Sequence, residues 1–166
     1  MLFKPTIWVE NVLKIDKHLL YKLKVKGLIL DLDNTLSMHG SPAAELGVVE
    51  WLADMNRLGV KMMIVSNNTS KRVEPLANEL GIEFIAFGCK PLTFGIRRAS
   101  KIMRLPKSQI ALVGDQIFTD VMGGNFYGIK TVLVEPFYLE DKWTFRLKRK
   151  IESVVFHRDF TKLDRI

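Results

Sequence analysis

Short apolar runs alternate with stretches of helical period along most of the chain. The first run, Gly27-Leu28-Ile29-Leu30, leads straight into Asp31. A run of this length, bounded by Gly and charge, reads as a strand buried on both faces. Ser41-Pro42 then predicts a helix start, with Pro in the first turn. Val48, Trp51, Leu52, Met55 and Leu58 recur at helical spacing, and Gly59 ends that helix. Residues 60–65 form the second predicted strand, and a helix over about 70–80 stops at Gly81. A short strand over 83–86, a helix over about 92–104 and a strand over 109–113 follow. A helix over about 119–126 precedes Gly128 and a fifth strand, 130–134. Residues 1–26 read as a helical extension, in which Asp16 caps a short helix through Leu23 while Trp8 and Leu13 cover the sheet. Regular strand–helix alternation predicts an α/β fold, a doubly wound parallel sheet with helices on both faces. Right-handed crossovers place every strand's carboxyl end on one edge, where open α/β sheets bind ligands.

The residues that follow each strand turn this outline into a chemical expectation. Asp31 and Asp33 follow the first strand, Ser66 the second and Lys90 the third, while Asp115 and Asp120 follow the fourth. Each alone is an ordinary turn, cap or surface residue. Together they bring acids, a hydroxyl and an ammonium to one rim. Two carboxylates at the tip of a buried strand repel each other without a cation or donors. The set suits phosphoryl transfer, which depends on charge neutralisation. A carboxylate can act as the nucleophile, and Asp31, at the strand's end, takes that role. Mg²⁺ fits an all-oxygen site, with Asp31, Asp115 and the Asp33 carbonyl as ligands. Lys90 neutralises the other side of the phosphoryl group, and Ser66 and the Asn67 amide hold its oxygens. Asp33 remains as general acid and then base, with Thr35 orienting it. Asp120 supports the metal site or Lys90.

At 166 residues the chain has the length of one domain, and residues 1–166 read as one. A single cysteine, Cys89, excludes an internal disulfide and suits a reducing compartment. No apolar run approaches the roughly 20 residues of a membrane span, and the first residues lack a signal-peptide core. These features point to the cytoplasm. Cys89 reads as a small buried side chain, and His39 as a loop histidine within reach of a leaving group. A net charge of +7 favours anionic partners. Base-reading motifs are absent, so specific nucleic-acid recognition has little support.

Asp31-Leu32-Asp33-Asn34-Thr35, Ser66-Asn67-Asn68, Lys90-Pro91 and Gly114-Asp115-Gln116-Ile117-Phe118-Thr119-Asp120 occur in that order. Together they resemble the four motifs of the haloacid dehalogenase (HAD) superfamily. With Val65 before the second motif and Gly123-Gly124-Asn125 after the fourth, the pattern is similar to subfamily IIIA and closely so to the YqeG-type phosphatases. The resemblance runs from about Leu13 to Arg149. It implies a three-layer Rossmann-like fold, Mg²⁺ and an aspartate-based phosphatase mechanism. An aspartate at the first motif position implies phosphoryl transfer rather than dehalogenation. Relatives in this branch include phosphatidylglycerophosphate phosphatases of phospholipid synthesis, which makes that lipid the best named substrate by analogy.

Thirty residues separate Leu36 from Ser66, and 24 separate Ser66 from Lys90. One helix and its strand fill each interval, so no cap domain is expected. An uncapped site suits a large or lipid-linked phosphomonoester. At the other end, residues 138–166 read as a basic helix and tail. Trp143, Leu147, Ile151 and Val154 fall on one helical stripe, and Lys142, Arg146 and Arg149 on another, beside Phe145 and Phe156. Such a helix fits either a solvated face or peripheral contact with an anionic membrane at its inner face. Competing expectations keep the chemistry but move it to a phosphoprotein, nucleotide or nucleic acid. Another makes the chain a binding module that recruits a GTPase or RNA, with incidental turnover.

Overall fold

A strand that is apolar at every position must be covered on both faces. The computed structural model, which describes residues 2–136, meets that demand with three layers. Six strands, β1 (Ile7–Val9), β2 (Gly27–Leu30), β3 (Lys61–Val65), β4 (Phe84–Ile85), β5 (Ile110–Gly114) and β6 (Lys130–Val134), form one sheet in the order β1-β6-β5-β2-β3-β4. Every pairing is parallel. The connecting helices are α1 (Lys17–Leu23), α2 (Val48–Arg57), α3 (Ser70–Leu80), α4 (Phe94–Met103) and α5 (Met122–Tyr127).

The two-residue period of the strands divides the core. Leu28, Leu30, Ala111 and Val113 face one layer, where they join Val48, Trp51, Leu52 and Met55 of α2 and Val73, Leu76 and Ala77 of α3. Ile29, Ile110 and Leu112 face the other, against Ile96, Ala99 and Met103 of α4. β2 lies between β3 and β5, where the connections change direction. Ligands of doubly wound sheets bind at this reversal, and Asp31 and Asp115 follow its two strands.

The helix over 70–80 and the strand over 130–134 fall where the pattern places them. Asp16 caps α1 by accepting a hydrogen bond from the Leu19 amide at 2.9 Å. Other boundaries move. The N-terminal stretch is not only helical: Ile7–Val9 form an edge strand beside β6, so Trp8 is part of the sheet. Ser41-Pro42 does not start a helix. The chain turns back there, with the Glu45 amide bonding the Leu36 carbonyl, and α2 begins only at Val48. Leu58, expected on the buried stripe, follows the helix and is exposed. The helix after β5 starts early, through a π turn over Ile117–Val121. The basic helix expected over 138–166 lies outside the described residues.

α5 seats on the sheet through Gly124, where a Cβ would stand 2.4 Å from Thr131 Cγ2. Gly124→Ala is therefore expected to cost about 1–3 kcal/mol of stability in urea titration, the usual scale of overpacking. Thr131→Ser removes that methyl and keeps the hydroxyl that accepts from the Thr6 amide. Most of the loss should return in the double variant; an unrecovered loss would place the strain elsewhere.

Candidate active site

The sheet ladder carries the site residues to the edge. The Asp31 amide still bonds the Val113 carbonyl at 2.9 Å, and the Ser66 amide bonds the Ile85 carbonyl at 3.0 Å. Beyond those bonds the strands diverge and side chains enter the gap. Lys90 comes in from the loop after β4. Its ammonium stands 2.5 Å from Asp31 Oδ1 and 2.7 Å from Asp120 Oδ1, and all three residues are buried. Asn67 fixes the backbone of that lysine from both sides: its Oδ1 accepts from the Lys90 amide at 2.7 Å, and its Nδ2 donates to the Lys90 carbonyl at 2.8 Å.

Asp120 reaches inward only because residue 114 has no side chain. A Cβ on Gly114 would lie 2.3 Å from the Asp120 carboxylate. The Gln116 amide donates to Asp120 Oδ2 at 3.1 Å and holds the other oxygen towards Lys90. Oxygens of Asp31, Asp115 and Asp120 lie within 4.8 Å of one another. Asp120, expected as support for the metal site or for Lys90, thus touches Lys90 directly and also belongs to this acidic cluster.

Asp33 occupies a second pocket beside the first. Asn68 Nδ2 donates to its Oδ2 at 2.6 Å, Arg72 Nη2 to its Oδ1 at 2.7 Å, and the Gly40 amide to the same oxygen at 3.2 Å. Asn68 and Arg72 were not assigned roles by the sequence reading. Arg72 sits 39 positions from its partner, beyond any local pattern. One signal does exist: a cation in the first turn of a helix opposes the macrodipole, so Arg72 at the start of α3 needs a reason. Thr35 does not orient Asp33. Its hydroxyl is fully buried with no hydrogen-bond partner among the described residues, and Asn68 and Arg72 hold Asp33 instead. Ser66 is buried, and its Oγ accepts from the Asn68 amide at 3.1 Å. That bond leaves the hydroxyl proton available to another acceptor. His39 Nδ1 lies 4.0 Å from Asp33 Oδ1. Cys89 is exposed rather than buried, on the loop that leads to Lys90, where its backbone is left-handed (φ 56°).

Burial pushes the Asp31 carboxyl up from its usual 3.8 to about 7; Lys90 opposes this and the Asp120 charge adds to it. Burial pulls the Lys90 ammonium down, but Asp120 and Asp31 outweigh it and the net shift is upward. The lysine therefore stays charged while the carboxylates compete for it.

Residues 88–136 match the model of the HAD-hydrolase-like family. The probable phosphatase YqeG of Bacillus subtilis (strain 168) is 40% identical over 150 residues, which cover 90% of this chain and 87% of that protein. The chain belongs to the YqeG-type phosphatases of the HAD superfamily. Its described architecture is shared with a 4-nitrophenylphosphatase from Thermotoga maritima, at a TM-score of 0.59 and 14% identity over 75% of this chain and 91% of that one. The phosphatidylglycerophosphate phosphatase 1 of Arabidopsis thaliana chloroplasts and mitochondria is 26% identical over 164 residues. That match covers 93% of this chain and 47% of the plant protein, so the chain spans about half of that relative's length.

As a HAD-type phosphatase the chain needs a balance of charge at this edge. Three buried carboxylates face one ammonium, and their oxygens form the hard, all-oxygen donor set that a small divalent cation takes. The residues present therefore fit Mg²⁺. Without a cation the charge excess should show in stability. The Asp31 proton stays on the folded chain up to about pH 7 but leaves the unfolded chain near 3.8. Its contribution is thus complete below about pH 4 and lost as pH rises through 7. In chelator at pH 8, Asp31→Asn should melt higher than the unaltered chain by several degrees, at about 2–4 °C per kcal/mol for this size. At pH 5 the gap should narrow. A variant that melts lower at pH 8 would show that the Lys90 pairing outweighs the burial.

Proposed function

We propose that this phosphatase hydrolyses a phosphomonoester through an aspartyl phosphate on Asp31, with Mg²⁺ as cofactor. The observation that carries the reading is the buried contact of Asp31 with Lys90 beside Asp115 and Asp120, at the sheet's reversal point. Asp31, Asp115 and the Asp33 main-chain carbonyl would hold the ion, which supplies positive charge against the phosphoryl oxygens. Lys90 places a fixed cation beside the nucleophile. The Ser66 hydroxyl and the Asn67 main-chain amide donate to the phosphoryl oxygens. In the first step an Asp31 oxygen bonds phosphorus, the phosphorus–alkoxide bond breaks, and the leaving oxygen takes the Asp33 proton. In the second, water attacks phosphorus and gives its proton to Asp33; inorganic phosphate leaves and the Asp31 carboxylate returns. Asn68 and Arg72 hold the Asp33 carboxyl in place for both transfers.

For the substrate we favour a lipid-linked phosphomonoester, with phosphatidylglycerophosphate the named choice. Two observations support it. The plant relative carries that activity in its name. In addition, one helix alone lies between β2 and β3, and one between β3 and β4, so no inserted domain covers the site there. The sheet and its helices over 7–134 are read as one catalytic domain.

With p-nitrophenyl phosphate, Asp31→Asn should abolish turnover while the fold persists. Asp33→Asn should slow it by roughly 10²–10⁴, the scale of general acid catalysis, with aspartyl phosphate accumulating in quenched samples. Near-normal turnover by Asp31→Asn would remove this mechanism.

Chelation should stop the reaction and Mg²⁺ should restore it. Asp115→Ala should raise the Mg²⁺ concentration needed for half activity. Full activity after verified metal removal would exclude the cofactor.

A further inference from the structure

The loop that delivers Lys90 also carries three large apolar side chains that the catalytic reading does not use. Phe87, Leu92 and Phe94 are 61%, 59% and 74% exposed. A close backbone contact joins the two ends of this loop. The Gly95 amide bonds the Gly88 carbonyl at 3.3 Å, and a Cβ on Gly95 would stand 2.8 Å from Gly88 Cα. Phe87 and Phe94 immediately precede these two glycines, so the contact brings their backbones near each other. Lys90, between them in sequence, is buried against Asp31. The loop thus turns its cation inward and presents its apolar side chains to solvent. Phe87 adopts a left-handed backbone (φ 51°), which is uncommon for a bulky residue. Its amide bonds the Asn68 carbonyl at 2.9 Å, and Asn68 holds Asp33, so the apolar ridge borders the site. Met38, on the loop after Asp33, adds a further exposed apolar side chain.

The stretches that frame this ridge, 34–44, 66–73 and 86–98, contain no Asp or Glu, and Glu45, Glu74 and Glu83 lie just beyond their ends. The stretches contain Lys71, Arg72, Lys90, Arg97 and Arg98, and Lys71, Arg97 and Arg98 are exposed. Apolar side chains beside exposed cations match an anionic lipid surface. The apolar groups enter the headgroup boundary and the cations meet the lipid phosphates.

We propose that Phe87, Leu92 and Phe94 form a membrane-docking lip, which seats the catalytic mouth on an anionic bilayer so that a headgroup phosphomonoester reaches Asp31 without leaving the membrane. This rests on the lipid-linked substrate reading above and adds the surface that serves it.

The test uses the full chain and its Phe87→Asn/Leu92→Ser/Phe94→Ser variant, Asn being tolerant of the left-handed backbone. Both are mixed with phosphatidylcholine vesicles, with or without phosphatidylglycerol, and assayed in parallel on p-nitrophenyl phosphate. The unaltered chain should co-sediment only with the anionic vesicles. The variant should lose roughly tenfold or more of that binding, as expected when three large apolar side chains no longer bury. Its hydrolysis of phosphatidylglycerophosphate in those vesicles should fall in proportion, and p-nitrophenyl phosphate turnover should stay within about twofold, because none of the three side chains touches the reacting groups. Equal vesicle binding by the two proteins would overturn the lip. So would indifference of the unaltered chain to anionic vesicles, which would assign the ridge to a protein partner. Lip-dependent binding without hydrolysis of the lipid in vesicles or detergent would support the lip and remove the substrate reading instead. A variant that also lost p-nitrophenyl phosphate turnover would be replaced by the single Phe94→Ser change, on which the same binding comparison decides.

Discussion

The Lys90 ammonium lies between the Asp31 and Asp120 carboxylates, and the rest of the site is arranged to keep it there. A buried charge is tolerable only with partners at close range. Each partner depends on a local backbone feature. Asp31 is the residue at which the β2 ladder ends. Asp120 enters because Gly114 leaves room for it. Lys90 is positioned by the Asn67 amide group, which reads its main chain rather than its charge. One ammonium cannot balance the three carboxylates of Asp31, Asp115 and Asp120, and the remaining negative charge favours a cation. That excess of negative charge is what makes the oxygen cluster suit the proposed Mg²⁺.

Much of this was legible in the chain. Asp31, Ser66 and Asp115 could be placed because each is the first or second polar residue after an apolar run, and a parallel sheet sends every such residue to one edge. α3 could be placed because Gly81 provides an unambiguous stop. The missing parts have identifiable causes. β1 is three residues long and pairs with a strand more than 120 positions away, so no local period announces it. Ser41-Pro42 has the composition of a helix start, but the bond from Glu45 back to Leu36 uses that stretch to close the loop around Asp33. Cys89 is a residue type that is usually buried, and its exposure on the loop before Lys90 is a matter of tertiary placement that composition does not encode. The Arg72–Asp33 pair is a tertiary contact whose only local trace is an ill-placed charge.

The proposed division of labour between the two carboxylates of the first motif rests on their surroundings. Asp31 is surrounded by buried acids and one ammonium, which suits the proposed nucleophile. Asp33 is held by an amide, a guanidinium and a main-chain N–H, which fix its direction. One residue of spacing along the chain is enough to separate these environments, because Asp31 still belongs to the sheet and Asp33 belongs to the turn that Asn34, at φ 61°, closes.

The sheet also ends in a particular way. Its outermost strands, β1 and β4, are three and two residues long, whereas the inner strands have four or five. An exposed edge recruits other chains through its row of unpaired amides and carbonyls, and that row is shortest here at both sides of the sheet. The Val- and Ile-rich inner strands would be hazardous as templates for cross-β stacking, yet they lie behind edges too short to nucleate it. The taper gives the described residues a resistance to amyloid-like growth that none of their catalytic features would require.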